Sequence, residues 1–404
     1  MQAGSAFRAE LREGWRELAA ATFGLAFGVA GYTAISSLFF LSLRQEFGWS
    51  SSAAGVAFLV LPLTACVLPL VGRLTDRFGV PAVAGLSAIA QLCAYLALAA
   101  QSGALSWYFV AFLVLNLLGS GTGPVTYTRL ITRRFSRARG TALALAQFGI
   151  AGFAVILPPV VAAVIEGSGW RTAYLGLAGL TALGAAVAQI LMRRDRTGDA
   201  QTRTGGEQAD PRLVRQLTSE AIRSRPFWVL IAAVFALSAG SLGVVTQFQP
   251  ILALRGLSMH QGGWLLSLLA GSVMASRIVT GLVLDRSAPA LWAAAIVLIA
   301  AGGAAILAVA GANVVVIAAG IVLFGASVGA ELDLMSFFCA RQFDLRAYSS
   351  IYGLLAVGFY IGMAAGAAAF GAIFDLFGRA EPALWSSVLC FIFAAGLFAT
   401  LHRR

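Results

Sequence analysis

The chain has 404 residues, 59% of them hydrophobic and 11% charged, against about 25% charged for soluble domains. A water-soluble fold of this length cannot hide so much apolar surface, so lipid must be the solvent for much of it. The net charge of +11 does not point to nucleic acid, because the charges stand in short clusters between apolar runs.

The first 18 residues form a charged lead. Phe7, Leu11 and Trp15 recur every fourth position with Arg8, Arg12 and Arg16 alongside, a pattern that fits either a helix lying on a membrane surface or a solvated helical tail. The apolar run behind it is too long for a cleavable signal peptide.

A spanning helix needs about 20 apolar residues. Runs of that kind occupy 19–43, 54–71, 80–100, 107–130, 140–165 and 172–192. After a polar stretch they resume at 228–252, 262–284, 290–311, 313–340, 347–374 and 383–401. The expected fold is therefore all-α and integral to the membrane, with twelve transmembrane helices in two pseudo-symmetric bundles. Its parts are a lead (1–18), a first six-helix bundle (19–192), a linker (193–226), a second bundle (227–401) and a tail (402–404). The linker is charged and rich in Gly and Thr, and reads as solvated.

Every basic residue is arginine, which reads as the base composition of a GC-rich bacterial genome. With the N-terminus inside, the inner segments carry 22 arginines and the outer loops four: Arg44, Arg171, Arg255 and Arg379. The positive-inside rule then places both termini in the cytoplasm of a multi-pass bacterial inner-membrane protein. Cys66, Cys93, Cys339 and Cys390 fall inside apolar runs with no metal-ligand spacing, so buried free thiols are expected, without a metal or cofactor.

The two halves repeat. Gly72-Arg73-Leu74-Thr75-Asp76-Arg77 after the second span answers Gly281-Leu282-Val283-Leu284-Asp285-Arg286 after the eighth, and Arg133-Arg134-Phe135 answers Arg341-Gln342-Phe343. The offsets are 209 and 208 residues. Duplicated bundles are a transporter architecture with the substrate site near mid-membrane between the repeats.

Gly72-x-x-x-Asp76-Arg77-x-Gly79 resembles the loop motif of the major facilitator superfamily. Glu46-Phe47-Gly48-Trp49-Ser50 is similar to an outer-loop signature of its bacterial monocarboxylate-transporter-like and oxalate/formate-antiporter-like members. So are Arg134-Phe135-x-x-x-Arg139-Gly140-x-Ala142-Leu143-Ala144, Pro158-Pro159 and Gly169-Trp170-Arg171. The runs Gly329-Ala330-Glu331-x-Asp333-Leu334, Ala340-Arg341-x-Phe343 and Tyr352-Gly353 resemble the same group. The resemblance implies the major facilitator fold, alternating access, and transport of small carboxylates with protons or by exchange. Two departures narrow the substrate. The chain has no lysine in its eleventh span, where Met363 stands instead, so a two-cation clamp for oxalate is missing. Val273 stands where monocarboxylate transporters commonly place an aspartate.

An ionisable side chain within a span costs several kcal/mol unless paired or wetted, so each is a functional candidate. Arg277 lies eight residues inside Asp285, and its first-half counterpart is Leu68. Glu331 and Asp333 correspond to Gly123 and Val125. The duplicated scaffold therefore does not need charge at these depths. Arg277 either grips a substrate carboxylate through its planar fork of donors or forms a structural ion pair with Glu331 or Asp333. Glu331 is then a proton site or the partner that holds Arg277 until substrate arrives; Asp333 shares these readings or orients the nearby loop. Arg129 is expected to meet Asp76 or to snorkel. Gly72, Asp76, Arg77, Arg129, Asp285, Arg286 and Arg341 are switch candidates. Tyr32, Gln147, Gln247 and Tyr360 are candidates for the binding wall, and Thr33, Asn116 and Gln249 are weaker ones. His260 reads as a solvated loop residue.

No GxxxxGK[ST], HExxH or GxSxG site with partners occurs, which argues against ATP-driven transport and against an enzyme. The expected partners are a small carboxylate, protons and the lipid bilayer, without nucleic acid, and the chain is expected to work as a monomer. A drug or metabolite exporter on the same scaffold is the alternative. A cation exporter would want acids within the first-half spans, which have none.

Overall fold

The computed structural model describes residues 10–135, 138–193, 211–284 and 289–401. All regular structure among them is helical. In chain order the helices are α1 (Trp15–Ala26), α2 (Ser36–Phe47), α3 (Ser51–Ala57), α4 (Val60–Phe78), α5 (Val80–Ala99), α6 (Leu105–Leu117), α7 (Pro124–Arg134) and α8 (Arg139–Arg193). The second half holds α9 (Pro211–Arg223), α10 (Arg225–Thr246), α11 (Phe248–Leu254), α12 (Met259–Leu284), α13 (Pro289–Val309), α14 (Val314–Gln342), α15 (Tyr348–Phe377) and α16 (Glu381–Thr400).

Nine stretches of the described residues are long and apolar enough to cross a membrane, or ten when the bent pair of Leu105–Leu117 and Gly119–Arg134 is one span. One of the nine, Leu145–Met192, is 48 residues long and turns at Gly169 (φ 82°, ψ 162°). It is twice the length one crossing needs, so it holds two of the expected spans. The first expected span is divided into α1, a 3₁₀ turn (Val29–Ala34) and α2, which leaves neither helix long enough alone. With these two allowances the helices accord with twelve spans.

Glycines with positive φ restate the duplication at the level of the backbone. Gly48 (φ 70°) and Gly256 (φ 78°) are 208 residues apart, as are Gly103 (φ 107°) and Gly311 (φ 55°); Gly169 (φ 82°) and Gly378 (φ 64°) are 209 apart. Each pair reverses the chain between helices at the same place in its repeat, where a side chain would be strained.

The described chain forms two compact units, residues 1–39 with 66–204 and residues 40–65 with 205–404. The first is built on α8, against which α1 and α5 pack. One part of its core joins Ala20, Ala21, Leu25, Tyr127, Ile131, Phe135, Ala142 and Ala188. In the second, α10 packs on α15, α12 on α14, and α13 on α14 and α16. Glycines allow these approaches: Gly358, Gly362 and Gly366 of α15 meet Ile231, Ser238 and Ala239 of α10 with no room for a Cβ. Small residues at four-residue spacing are how helices pack closely when lipid gives no hydrophobic drive.

Three local readings need correction. The linker, read as solvated, contains α9, whose Leu213, Val214, Leu217 and Ala221 turn inward while Arg212, Arg215 and Glu220 are exposed. The lead, read as membrane-bound or free, docks from Glu10 onward on the α7–α8 turn. There Glu10 Oε2 accepts Ala138 N at 2.8 Å, Arg134 stands 3.6 Å from Glu13, and Gly14 lies against the Phe135 ring. Its Phe7 and Arg8 lie outside the described residues. Finally, Cys66 and Cys93 are exposed rather than buried.

Candidate functional site

The second unit gathers the charges. Helices α12 and α14 touch through Gly325 on Ser272 and Gly329 on Val273, and Ser276 Oγ donates to Ala326 O. This contact fixes the register of Arg277, one residue past Ser276, against the acids of α14. Glu331 is buried at 6% exposure, with Ser241 of α10 beside it and Arg277 within electrostatic reach; Ser241 Oγ donates to Leu237 O at 3.0 Å. Glu331 Oε1 has no hydrogen-bond partner among the described residues. Asp333 is half-buried and also feels Arg277. Arg277 itself is exposed, and no salt bridge within 4.0 Å joins it to either acid among the described residues. The closed ion pair is therefore not made here; a guanidinium stands beside two carboxyl groups without being taken up by them.

Along the same unit, Gln247 occupies the break between α10 and α11. Its Nε2 donates to Ser51 O at 2.9 Å, and its Oε1 has no partner among the described residues. Gln249, fully buried, has neither amide atom partnered among the described residues. Tyr360 is half-buried on α15. His260, read as solvated, accepts from Trp264 Nε1 at 3.1 Å.

The first unit holds the other wall candidates. Tyr32 sits in the 3₁₀ turn, 4% exposed, with its hydroxyl 2.9 Å from that of Tyr174 and its ring among Phe39, Tyr95 and Phe112. The space left beside Tyr32, Tyr95 and Thr181 is about 10 Å³, roughly one water. Gln147 and Thr33 are half-buried, and Asn116 donates to Phe112 O one turn back at 2.9 Å.

Two of this unit's helices are broken, at Phe27–Ile35 and at Leu118–Gly123, and one buried side chain serves both breaks. Gln91 donates to Phe27 O (3.1 Å) and Thr181 Oγ1 (3.3 Å) and accepts from Thr122 Oγ1 (2.9 Å), which in turn accepts Val29 N (3.0 Å). Backbone released from a helix within a membrane needs such partners. No signal in the sequence marks Gln91, Thr122, Ser241, Tyr95 or Tyr174, because their roles depend on which helices meet.

Of the switch candidates, Arg129 and Asp76 form an ion pair, with Gly72 leaving the guanidinium its path. Arg77 lies over the Phe78 ring at 5.1 Å. Arg341 is exposed near the end of α14. Asp285 and Arg286 lie outside the described residues.

The family model described as "Major Facilitator Superfamily" matches residues 21–367. No curated protein matches the sequence. Among solved structures, a point mutant of the nucleoside transporter NupG aligns with a TM-score of 0.73 at 14% identity over 96% of this chain and 98% of its own. A bacterial homologue of the human lysosomal transporter Spinster, in an inward-facing and unoccupied conformation, aligns with 0.73 at 15% over 96% of each chain. Its inward-facing occupied form aligns with 0.70 at 16%, over 95% and 96%. Identities this low speak for the fold alone.

Proposed function

The chain belongs to the major facilitator superfamily, and from that premise we propose that it carries a small organic anion, a monocarboxylate, by alternating access with proton coupling or anion exchange. It is a transporter rather than an enzyme. The observation that carries the reading is Arg277: an exposed guanidinium within a membrane helix, next to acids that do not close on it, at a repeat position where the first half has Leu68. Its fork of donors suits a carboxylate, which can bind through two parallel hydrogen bonds.

Charge balance supplies the coupling. Inside a membrane a net charge costs several kcal/mol, so the empty site needs Glu331 or Asp333 to offset Arg277. An arriving carboxylate brings its own negative charge. Glu331, beside Ser241, then takes a proton and the loaded site stays balanced. In exchange, one anion replaces another and no proton is needed. Gln147, Gln247, Tyr32 and Tyr360 are the further binding candidates in this reading, and Gly72, Asp76, Arg77, Arg129, Asp285, Arg286 and Arg341 the switching ones. The two bundles, 19–192 and 227–401, form one working monomer of a bacterial inner membrane with both termini cytoplasmic.

The test is uptake of labelled small monocarboxylates into proteoliposomes. Wild type should accumulate at least one of them, and Arg277→Leu should lose about a hundredfold in rate, as expected when the charge-assisted pair that substrate makes with the guanidinium is removed. Undiminished uptake by a correctly folded Arg277→Leu overturns the assignment. Selective uptake of cations would favour the exporter reading.

A further inference from the structure

The signature Glu46-Phe47-Gly48-Trp49-Ser50 has no part in the anion site, and its surroundings give it another task. Gly48 (φ 70°) turns the chain after α2, Trp49 is buried, and Ser50 Oγ caps α3 by accepting Ala53 N at 3.3 Å. The next two amides, Ser51 N and Ser52 N, both end on one carboxylate. Asp375, more than 320 residues further on in α15, accepts them through Oδ1 and Oδ2 at 2.7 Å each. Two N–H groups that the start of a helix leaves without partners are met at once, and the negative charge faces the positive end of the helix.

Everything around this carboxylate closes on the same segment. Arg44 donates to Ser51 Oγ at 2.7 Å and lies over the Phe374 ring at 5.5 Å. Gln247 holds the Ser51 carbonyl. The two helices lie backbone to backbone: a Cβ at Gly371 would stand 2.6 Å from Ser51 O, and Gly55 sits against Ala367. By sequence these residues come from the first repeat. Yet 40–65 belong to the same compact unit as α15, while the rest of their spans belong to the other.

We propose that Asp375 is the latch of the gate on the side the arginine count assigns to the outside: it holds the 40–65 segment on α15 in this access state, and transport requires its two hydrogen bonds to break and re-form in each cycle. It acts on access and not on substrate, as a positioning residue. The inference rests on the transporter reading but not on the anion reading.

The test reads access directly. In a background freed of the four native cysteines, Ala57→Cys places a thiol at a position 5% exposed at the end of α3, and Ala99→Cys places one at an 8% exposed position at the outer end of α5 in the first unit. Labelling by a membrane-impermeant maleimide added from outside is followed in whole cells. Asp375→Ala should raise the labelling rate at the Ala57→Cys reporter by about tenfold or more, since two charge-assisted hydrogen bonds are lost. Asp375→Asn should fall between, and the Ala99→Cys reporter should not change. Gln247→Leu, which removes the same segment's neutral contact, should raise labelling less, and serves where Asp375→Ala does not fold. Unchanged labelling at the Ala57→Cys reporter in these variants overturns the latch, and so does an equal rise at both reporters, which means general loosening. Loss of carboxylate uptake in Arg277→Leu tests the anion site and leaves these labelling rates where they were.

Discussion

Gln91 is the residue on which the broken helices of the first unit depend, and Gln91→Leu isolates that dependence. Leucine keeps the bulk and removes the amide. Thr122 then keeps Gly119 O as its acceptor at 2.7 Å, and Val29 N keeps Thr122 Oγ1. What is stranded is the Phe27 carbonyl, together with Thr181, which loses the Gln91 donor. A stranded buried carbonyl costs about 1–3 kcal/mol, and an interhelical side-chain bond in a membrane about 0.6 kcal/mol. Together they come to roughly 2–4 kcal/mol. At about 2–4 °C per kcal/mol for a unit of this size, the apparent Tm in detergent should fall by roughly 4–16 °C. Gln216→Leu, on the exposed face of α9, is the control and should shift by no more than about 0.5 kcal/mol. If Gln91→Leu melts with wild type, the hydrogen-bonded hub does not hold the breaks at Phe27–Ile35 and Leu118–Gly123.

Glu331→Gln should retain anion exchange and lose proton-driven accumulation, measured as counterflow against uptake under an imposed pH gradient; equal loss of both places the coupling proton elsewhere. Asp76→Asn and Arg129→Gln remove an ion pair whose side chains are 54% and 33% exposed, so each should cost under about 1 kcal/mol of stability. Their effects on uptake should be non-additive in a double-mutant cycle. Gly366→Leu would drive a side chain into the backbone at Ala239 and should destabilise by about 3 kcal/mol or more. Gly396→Ala, with open space at its Cβ, should melt like wild type. In the α14–α15 loop, hydrogen bonds from Arg346 hold the Asp344 carboxyl down at about 2. A folded pKa below the unfolded one gives stability that is present above about pH 4 and is lost as pH falls toward 2. Asp344→Asn should abolish that acid-side step in the local chemical shifts.

The twelve segments could be read from run length and arginine placement because lipid imposes both. The breaks were not legible. Gly-Val-Ala-Gly at 28–31 and Gly-Ser-Gly-Thr at 119–122 are ordinary close-packing residues of a membrane helix, and only the presence of Gln91 across the interface makes a broken backbone tolerable there. Helix α9 was missed because a polar composition outweighed the period of Leu213, Val214, Leu217 and Ala221. Arg277, Glu331 and Asp333 were legible as charges out of place, and the asymmetry with Leu68, Gly123 and Val125 pointed to them. Asp375 was not: it falls one residue beyond an expected span, where an acid is commonplace. Its partners are two backbone amides, which carry no signature in a sequence.

The central claim is that Arg277 recognises a carboxylate, and ligand-induced stabilisation tests it most directly. Purified wild type should be screened by thermal shift against small monocarboxylates, cations and zwitterions of similar size. A ligand at about 100 times its Kd adds roughly 2.7 kcal/mol, several degrees in Tm. Recognition by Arg277 predicts that one or more monocarboxylates raise the Tm of wild type and not of Arg277→Leu. Stabilisation by cations alone, or equal carboxylate stabilisation of wild type and Arg277→Leu, contradicts it.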